Sequence, residues 1–402
     1  MIRNYLIVWV SIRCNKSIVM KDLVPDLQQR REHNLYRSRK IQRGAQGAEV
    51  ILDGKACLAF CSNDYLGLSH HPDVINAFKQ GADDYGVGSG AAHLINGHSQ
   101  AHHALEEELA DFVNYPRALL FSTGYMANLG VMSALLQRGD AVLQDRLNHA
   151  SLMDAGLLSG ATLKRFDHKN SQQLQNKLQQ TRAQEKLIAS DGVFSMDGDL
   201  ADIPALAAIA KQNQAWLMID DAHGLGVLGE HGGGTLEHFS MTHKDVPVLM
   251  GTLGKAFGCF GAFVAGSEAL IETLINQARS YIYTTALPSA VAEATRTSLK
   301  IIQKESWRRN RLRDLVNQFR KGAAELGLEL MPSETPVQPI MLKSSQKAVQ
   351  WSEALWQQGI YIPAIRPPTV PQDEARLRVS FSADHNEQHV IRLLDMLEKI
   401  PR

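Results

Sequence analysis

Residues 118–266 constrain the fold most, because short β-rich apolar runs alternate there with helix-length segments. The runs cover residues 118–122, 141–145, 186–190, 216–220 and 261–265. Near-continuous apolar runs of this length suit strands covered on both faces, so the alternation predicts a mostly parallel α/β sheet. Helices are expected over 102–112, with its Ala-Leu-Glu-Glu-Glu-Leu-Ala pattern, and over 203–213, which opens with Asp202 as a cap and Pro204 in the first turn. In the Gln-rich stretch 171–185, Leu174 and Leu178 keep helical spacing, which predicts a solvated surface helix.

After Pro288 the texture changes. Residues 289–326 read as two long helices, the second rich in Arg, and a Pro-rich break at 332–339 precedes mixed strands and helices. The expected division is an extension outside the fold (1–19), an N-terminal segment (20–70), a large domain (71–288) and a small C-terminal domain (289–402). Residues 5–12 have a weak signal-peptide look, yet small-residue cleavage signals are missing and Cys14 and Lys16 follow. Cutting the chain before Met20 is therefore expected to leave activity unchanged; a truncated protein that does not fold refutes this.

The chain is long enough for a large core, with 402 residues that are 44% apolar and 21% charged. Forty-two basic residues balance forty-two acidic ones, leaving no general field to attract nucleic acid or anionic lipid. No apolar run approaches the roughly 18 residues that a membrane-spanning helix needs. The four cysteines (Cys14, Cys57, Cys61 and Cys259) form no CxxC pair, which argues for a reducing, cytoplasmic compartment.

Three clusters carry the chemistry, the first two at the carboxyl ends of expected strands, where open parallel sheets place their ligands. Ser122-Thr-Gly-Tyr-Met-Ala-Asn128 follows a strand and opens a helix, so backbone N–H groups near Gly124 face an anion such as phosphate; mere helix capping is the competing reading. Ile219-Asp-Asp-Ala-His-Gly224 ends an apolar strand in carboxylates, which are costly to bury without a cation or donor; an exposed cap is the alternative. Gly251-Thr-Leu-Gly-Lys-Ala-Phe-Gly258 sets Lys255 in a glycine-rich turn three residues after Thr252. A desolvated lysine there becomes a nucleophile able to form a Schiff base, whereas a solvated loop lysine is inert. Taken together, a phosphate cradle, a buried carboxylate and a Schiff-base lysine are the three anchors that pyridoxal 5'-phosphate requires.

These motifs, with Ser62-Asn-Asp-Tyr-Leu-Gly-Leu68, Asn148-His149-Ala-Ser151, Asp191-Gly-Val-Phe-Ser-Met-Asp-Gly198 and Arg366-Pro-Pro-Thr-Val-Pro371, make the chain resemble the α-oxoamine synthases from about Leu23 to the C-terminus. The resemblance implies a fold type I pyridoxal phosphate transferase, with a mostly parallel seven-stranded sheet in the large domain and a smaller α+β domain. It implies Lys255 as the Schiff-base lysine, Asp220 against the pyridine nitrogen and His149 stacked on the ring. Gly124, Tyr125 and Thr252 are expected to face the phosphate, and Ser195 and His223 the ring substituents, His223 at the phenolic oxygen. On the substrate side it implies Arg37, Asn63, His149, Thr369 and Arg378, the last pairing the amino-acid carboxylate.

The branch most resembled condenses L-alanine with a pimeloyl thioester, carried on coenzyme A or acyl carrier protein, in biotin biosynthesis. Family membership also implies a homodimer with shared active sites, in which Thr284 and Thr285 approach the neighbouring subunit's phosphate. Glycine acetyltransferases, 5-aminolevulinate synthases and serine palmitoyltransferases share the first of these motifs more than the last. An aminotransferase and a non-catalytic cofactor-binding sensor use similar anchors, but no appended DNA-binding region is evident. A nicotinamide dehydrogenase reading of Gly86-Val-Gly-Ser-Gly90 lacks a preceding strand and the third spaced glycine, so a glycine loop near the substrate is expected instead. No metal site is expected, and His102 and His103 are expected on a helix surface.

Overall fold

The computed structural model describes residues 21–401, so the calls on residues 1–19 and on cutting before Met20 lie outside the described residues. The chain forms two compact units, one ending at Arg39 and one starting at Lys40. In the first, the helix Val24–Glu32 carries Pro25 in its first turn, which the fixed φ of proline suits, and buries none of its residues. No helix among the described residues is long and apolar enough to cross a membrane.

The second unit is built on a seven-stranded sheet. In space its strands run Arg117–Phe121, Ala262–Gly266, Val248–Thr252, Trp216–Asp220, Lys186–Asp191, Ala141–Asp145 and Thr162–Phe166. All neighbours are parallel except Ala262–Gly266, which is antiparallel on both sides. The central strands are buried almost throughout, as their continuous Leu, Ile, Met and Ala content requires once helices cover both faces. The expected strands at 141–145 and 216–220 form with those bounds, and those at 118–122, 186–190 and 261–265 to within one residue.

Two strands escaped the sequence pattern. Thr162–Phe166 is an edge strand paired only with Ala141–Asp145, so its Lys164 and Arg165 break the apolar run. Val248–Thr252 runs into the glycine-rich turn, and that cluster hid the strand feeding it. Smaller sheets flank the main one. Val337–Lys343, Ala375–Ser380 and Ala364–Ile365 form an antiparallel sheet. Gln42–Arg43, Glu49–Leu52 and Lys55–Ala59 are joined by Ile360–Tyr361, which brings an early segment against a late one.

The histidine pair on the helix Gln100–Val113 corrects an expectation. His103 is exposed, but His102 is fully buried. Its Nδ1 accepts the Ser99 backbone N–H at 3.0 Å and its Nε2 donates to the Leu287 carbonyl at 2.6 Å, so it closes the helix N-terminus and ties it to a distant loop. The 86–90 run follows the helix Pro72–Tyr85 rather than a strand, which removes the dehydrogenase reading.

His168 clamps the sheet to the segment carrying Ser195. Its Nδ1 lies 3.1 Å from Asp145 and its Nε2 3.0 Å from Asp199, while Phe194 packs edge-on against its ring. Burial opposes its charge, yet the two carboxylates hold the imidazole up at about 9. A histidine raised in the folded state stabilises fully below its unfolded pKa of roughly 6.5, and that stability disappears as pH rises through about 9. Urea unfolding is therefore expected to lose about 2 to 3 kcal/mol from this group between pH 6 and 9.5. His168→Gln should flatten that slope; an unchanged slope contradicts the assignment.

Candidate active site

The site grows from the ends of the parallel strands. Register sets Asp191 directly beside Asp220, and the next neighbour is Met250 on the strand leading to Lys255. Both oxygens of Asp220 are held by donors, Oδ2 by Asn128 Nδ2 at 2.8 Å and Oδ1 by the Ala222 N–H at 3.1 Å. The Asp220 residue is 5% exposed. Burial pushes the Asp191 carboxyl well above the carboxylate range, and the neighbouring Asp220 adds to the shift. Asp221 accepts the Thr235 N–H at 2.7 Å, and burial raises it to about 7. It is not an exposed cap.

His149 caps the helix Ala150–Leu158. Its backbone N–H donates to Asp191 Oδ2 at 2.9 Å, and its Nδ1 meets Ser151 Oγ at 2.7 Å. Burial, with the Lys255 charge adding to it, lowers its pKa and favours the neutral ring. Asn148 accepts the Asp191 N–H at 3.1 Å and donates to the Ala189 carbonyl at 2.8 Å, pinning this loop to the sheet.

Lys255 sits in a turn that glycine makes possible. Gly258 has φ +65°, and a Cβ there would lie 2.3 Å from the Ser69 nitrogen. Within the turn Gly258 N–H donates to the Lys255 carbonyl at 2.8 Å, and Thr252 Oγ1 donates to the Gly261 carbonyl at 3.1 Å. Lys255 Nζ lies 2.7 Å from His223 Nε2. Burial lowers the amine to about 8, with Asp220 and Asp191 opposing the shift. An amine so placed is partly unprotonated near neutral pH, as a nucleophile or base needs.

The helix Gly124–Leu135 supplies the cradle. Thr123 Oγ1 accepts the Met126 N–H at 3.2 Å, while the first N–H groups of any helix lack intrahelical partners and face an anion. Tyr125 is half-exposed, and its hydroxyl donates to Asp154. Arg378, on the strand Ala375–Ser380, is 6% exposed, and no carboxylate among the described residues lies within ion-pair distance of it. Its guanidinium donates to the Ser195 carbonyl at 2.6 Å, to Asn63 Oδ1 from both Nη atoms at 3.2 Å, to Ser380 Oγ at 2.9 Å and to Tyr65 at 3.3 Å. A buried guanidinium held only by neutral acceptors is a seat for a carboxylate.

The fold thus joins Asn63, His149, Ser195, Asp220, His223, Lys255 and Arg378 through these contacts or through the charges they feel from one another. Ser195 takes part through its backbone carbonyl. Thr369 is exposed, with its N–H on the Arg366 carbonyl at 3.0 Å, and Arg37 belongs to the separate N-terminal unit. Tyr65, Asn128 and Asp191 were not singled out from sequence, although each lies in a quoted motif.

The donor set fits pyridoxal phosphate on this structure's own terms. Asn128 Oδ1 is buried beside Asp220 without a partner, the amine of Lys255 is desolvated within reach of the same carboxylates, and a helix N-terminus stands ready for the phosphate. The comparisons agree. The model for class I and II aminotransferases matches residues 55–397. The chain is 59% identical over 384 residues to the 8-amino-7-oxononanoate synthase of Thioalkalivibrio sulfidiphilus, covering 95% of this chain and 98% of that protein. It is 60% identical to that of Nitrosococcus oceani over 93% of this chain and all of the relative. Among solved structures, a Sphingomonas (S. paucimobilis) serine palmitoyltransferase with a bound pyridoxal phosphate–myriocin adduct superimposes with a TM-score of 0.89 at 29% identity, covering 94% of this chain and 96% of that one. The 8-amino-7-oxononanoate synthase of Francisella tularensis gives 0.75 at 33% identity, covering 85% and 97%. The chain belongs to the class I and II aminotransferase family of fold type I pyridoxal phosphate enzymes and, within it, to the 8-amino-7-oxononanoate synthases.

Proposed function

We infer that this enzyme condenses L-alanine with a pimeloyl thioester, releasing 8-amino-7-oxononanoate, carbon dioxide and the free thiol carrier for biotin synthesis. The observation that carries the reading is a desolvated amine at Lys255, joined through His223 and Tyr65 to a guanidinium, Arg378, that has no carboxylate partner among the described residues. Pyridoxal phosphate, when bound, supplies the electron sink that makes a carbanion at the amino-acid Cα accessible.

The chain's own groups do the rest. Arg378 and Asn63 receive the alanine carboxylate, Lys255 takes and returns the Cα proton, and Asp220, fixed by Asn128, faces the ring nitrogen. His149 covers the ring, Gly124, Tyr125 and Thr252 face the phosphate, and His223 and Ser195 face the ring substituents. Arg37 and Thr369 are assigned to substrate binding. A cavity of about 590 Å³ beside Asn63 and Gly254, whose wall mixes Val50, Leu52 and Tyr361 with Lys40, Gln42 and Asp64, is assigned to the acyl substrate. The test is to mix purified protein with pimeloyl-CoA or pimeloyl-acyl carrier protein and either alanine or glycine, and to follow thiol and carbon dioxide. Alanine with one of the carriers should release both; a keto acid in their place marks an aminotransferase.

Arg378→Ala is expected to raise the KM for alanine about thirtyfold or more, since a hydrogen bond to a charged group contributes roughly 1.5–3 kcal/mol. The KM for the thioester should move far less, and equal effects on both overturn the assignment.

A homodimer with shared sites belongs to the same proposal. Val87, Ile95 and Tyr283 are largely exposed apolar side chains, the last next to Thr284 and Thr285, and a second copy of the chain would cover such a surface. Sedimentation should give twice the chain mass. A large domain at 71–288, a small one at 289–402 and a cytoplasmic location complete the reading, the last supported by free thiols at Cys57, Cys61 and Cys259.

A further inference from the structure

Tyr65 is fully buried, and its hydroxyl stands between the two halves of the site. On one side it lies 2.6 Å from His223 Nδ1; on the other it accepts from Arg378 Nη2 at 3.3 Å and lies 3.2 Å from Asn63 Oδ1. His223 Nε2 in turn lies 2.7 Å from Lys255 Nζ. One hydrogen-bonded chain therefore runs from the guanidinium to the lysine amine.

The proton positions along that chain follow from counting acceptors. Asn63 Oδ1 already receives both Nη groups of Arg378, which fills its two lone pairs. The tyrosine proton is thus left for His223 Nδ1, which is also the shorter contact. A neutral imidazole accepting at Nδ1 carries its own proton on Nε2 and presents that N–H to Lys255 Nζ, which accepts it as the unprotonated amine.

We propose that Tyr65 is a positioning residue that locks His223 in the Nε2–H tautomer, so that the imidazole acts as a fixed donor toward the cofactor's phenolic oxygen. The proposal rests on the reading of His223 given under the proposed function. Several groups keep His223 neutral while it does this. Burial is the largest influence, and the charges of Lys255 in its protonated form and of Arg378 oppose a second proton on the ring. Asp220, Asp191 and Asp221 face Lys255 and temper its charge. With the ring held neutral, the tautomer is the remaining variable, and among the described residues only Tyr65 touches Nδ1.

A donor at the phenolic oxygen makes that oxygen less basic and weakens its hold on the proton shared with the neighbouring imine nitrogen. Tyr65→Phe keeps the ring and removes the lock. The yellow protonated chromophore of the holoenzyme should then persist to higher pH, its absorbance midpoint rising by about one pH unit, a tenfold change in proton affinity. If Tyr65 acts through His223, the double variant Tyr65→Phe/His223→Gln should shift no further than His223→Gln alone. A midpoint within a few tenths of wild type, or shifts that add, overturns the proposal.

Borohydride trapping at Lys255 in each variant tests the cofactor reading independently, because it reports attachment whatever the tautomer. Should Tyr65→Phe not hold its fold, wild-type protein labelled at the histidine ring nitrogens reads the tautomer directly, with His223→Gln assigning the signal. A proton on Nε2 supports the lock, and a proton on Nδ1 overturns it.

Discussion

Replacing Lys255 with alanine is expected to cut turnover by about three or more powers of ten, about 4 kcal/mol of transition-state stabilisation. The size of the effect follows from what surrounds the amine. Its Nζ is placed 2.7 Å from His223, burial lowers it to about 8, and Asp220 and Asp191 keep it from falling further. A solvated lysine, with a pKa of roughly 10.4, would stay charged at neutral pH and be a poor base there. Alanine at 255 offers neither nucleophile nor base, and nothing beside it substitutes: burial holds His223 neutral with its Nδ1 engaged by Tyr65, and His149 is engaged by Ser151. Thiol release from pimeloyl-CoA with alanine measures the loss, and reduction with borohydride should leave no pyridoxyl peptide at residue 255. Turnover within tenfold of wild type would remove Lys255 from the mechanism.

Asp220→Asn is the second large effect. Here the cofactor should be retained while exchange of the alanine Cα proton in deuterated water slows by about a hundredfold, near 3 kcal/mol. Each pKa unit that a carboxylate adds to the ring nitrogen favours its protonated form by about 1.4 kcal/mol, and that protonated form is what draws electrons from Cα. The local wiring makes the substitution worse than a simple loss of charge. Asp220 accepts with both oxygens, from Asn128 Nδ2 and from the Ala222 N–H, so an amide must turn its NH2 toward one of those donors. The same change relieves Asp191, whose carboxyl is raised by burial and then by the charge at 220. Cα exchange at the wild-type rate in this variant contradicts the role given to Asp220.

Much of this was legible from local pattern. The runs at 141–145 and 216–220 are strands because their apolar stretches, three residues from Ala141 and four from Trp216, suit a sheet covered on both faces. The turns after them announced themselves through Gly, Ser, Thr and Asp, residues that either permit positive φ or satisfy helix ends, and Lys255 stands out against them. The edge strand Thr162–Phe166 did not show, since among the described residues it pairs with one strand alone and its Lys164 and Arg165 interrupt the apolar run. His102 misled for the opposite reason: a histidine at the third position of a helix looks solvent-facing until the Leu287 carbonyl, 185 residues away, is packed onto it.

What the sequence by itself determined was the alternation of strands and helices and the chemical types gathered at the strand ends, because both depend on residues within a few positions of one another. Only the tertiary structure decided that Asp191 stands beside Asp220, that Tyr65 meets Arg378 across 313 residues, and that Asn128 reaches the carboxylate 92 residues on. Those pairings follow from sheet register and from burial. Register selects which strand ends are adjacent, and removal from water makes each buried polar atom seek a partner wherever in the chain the fold has brought one.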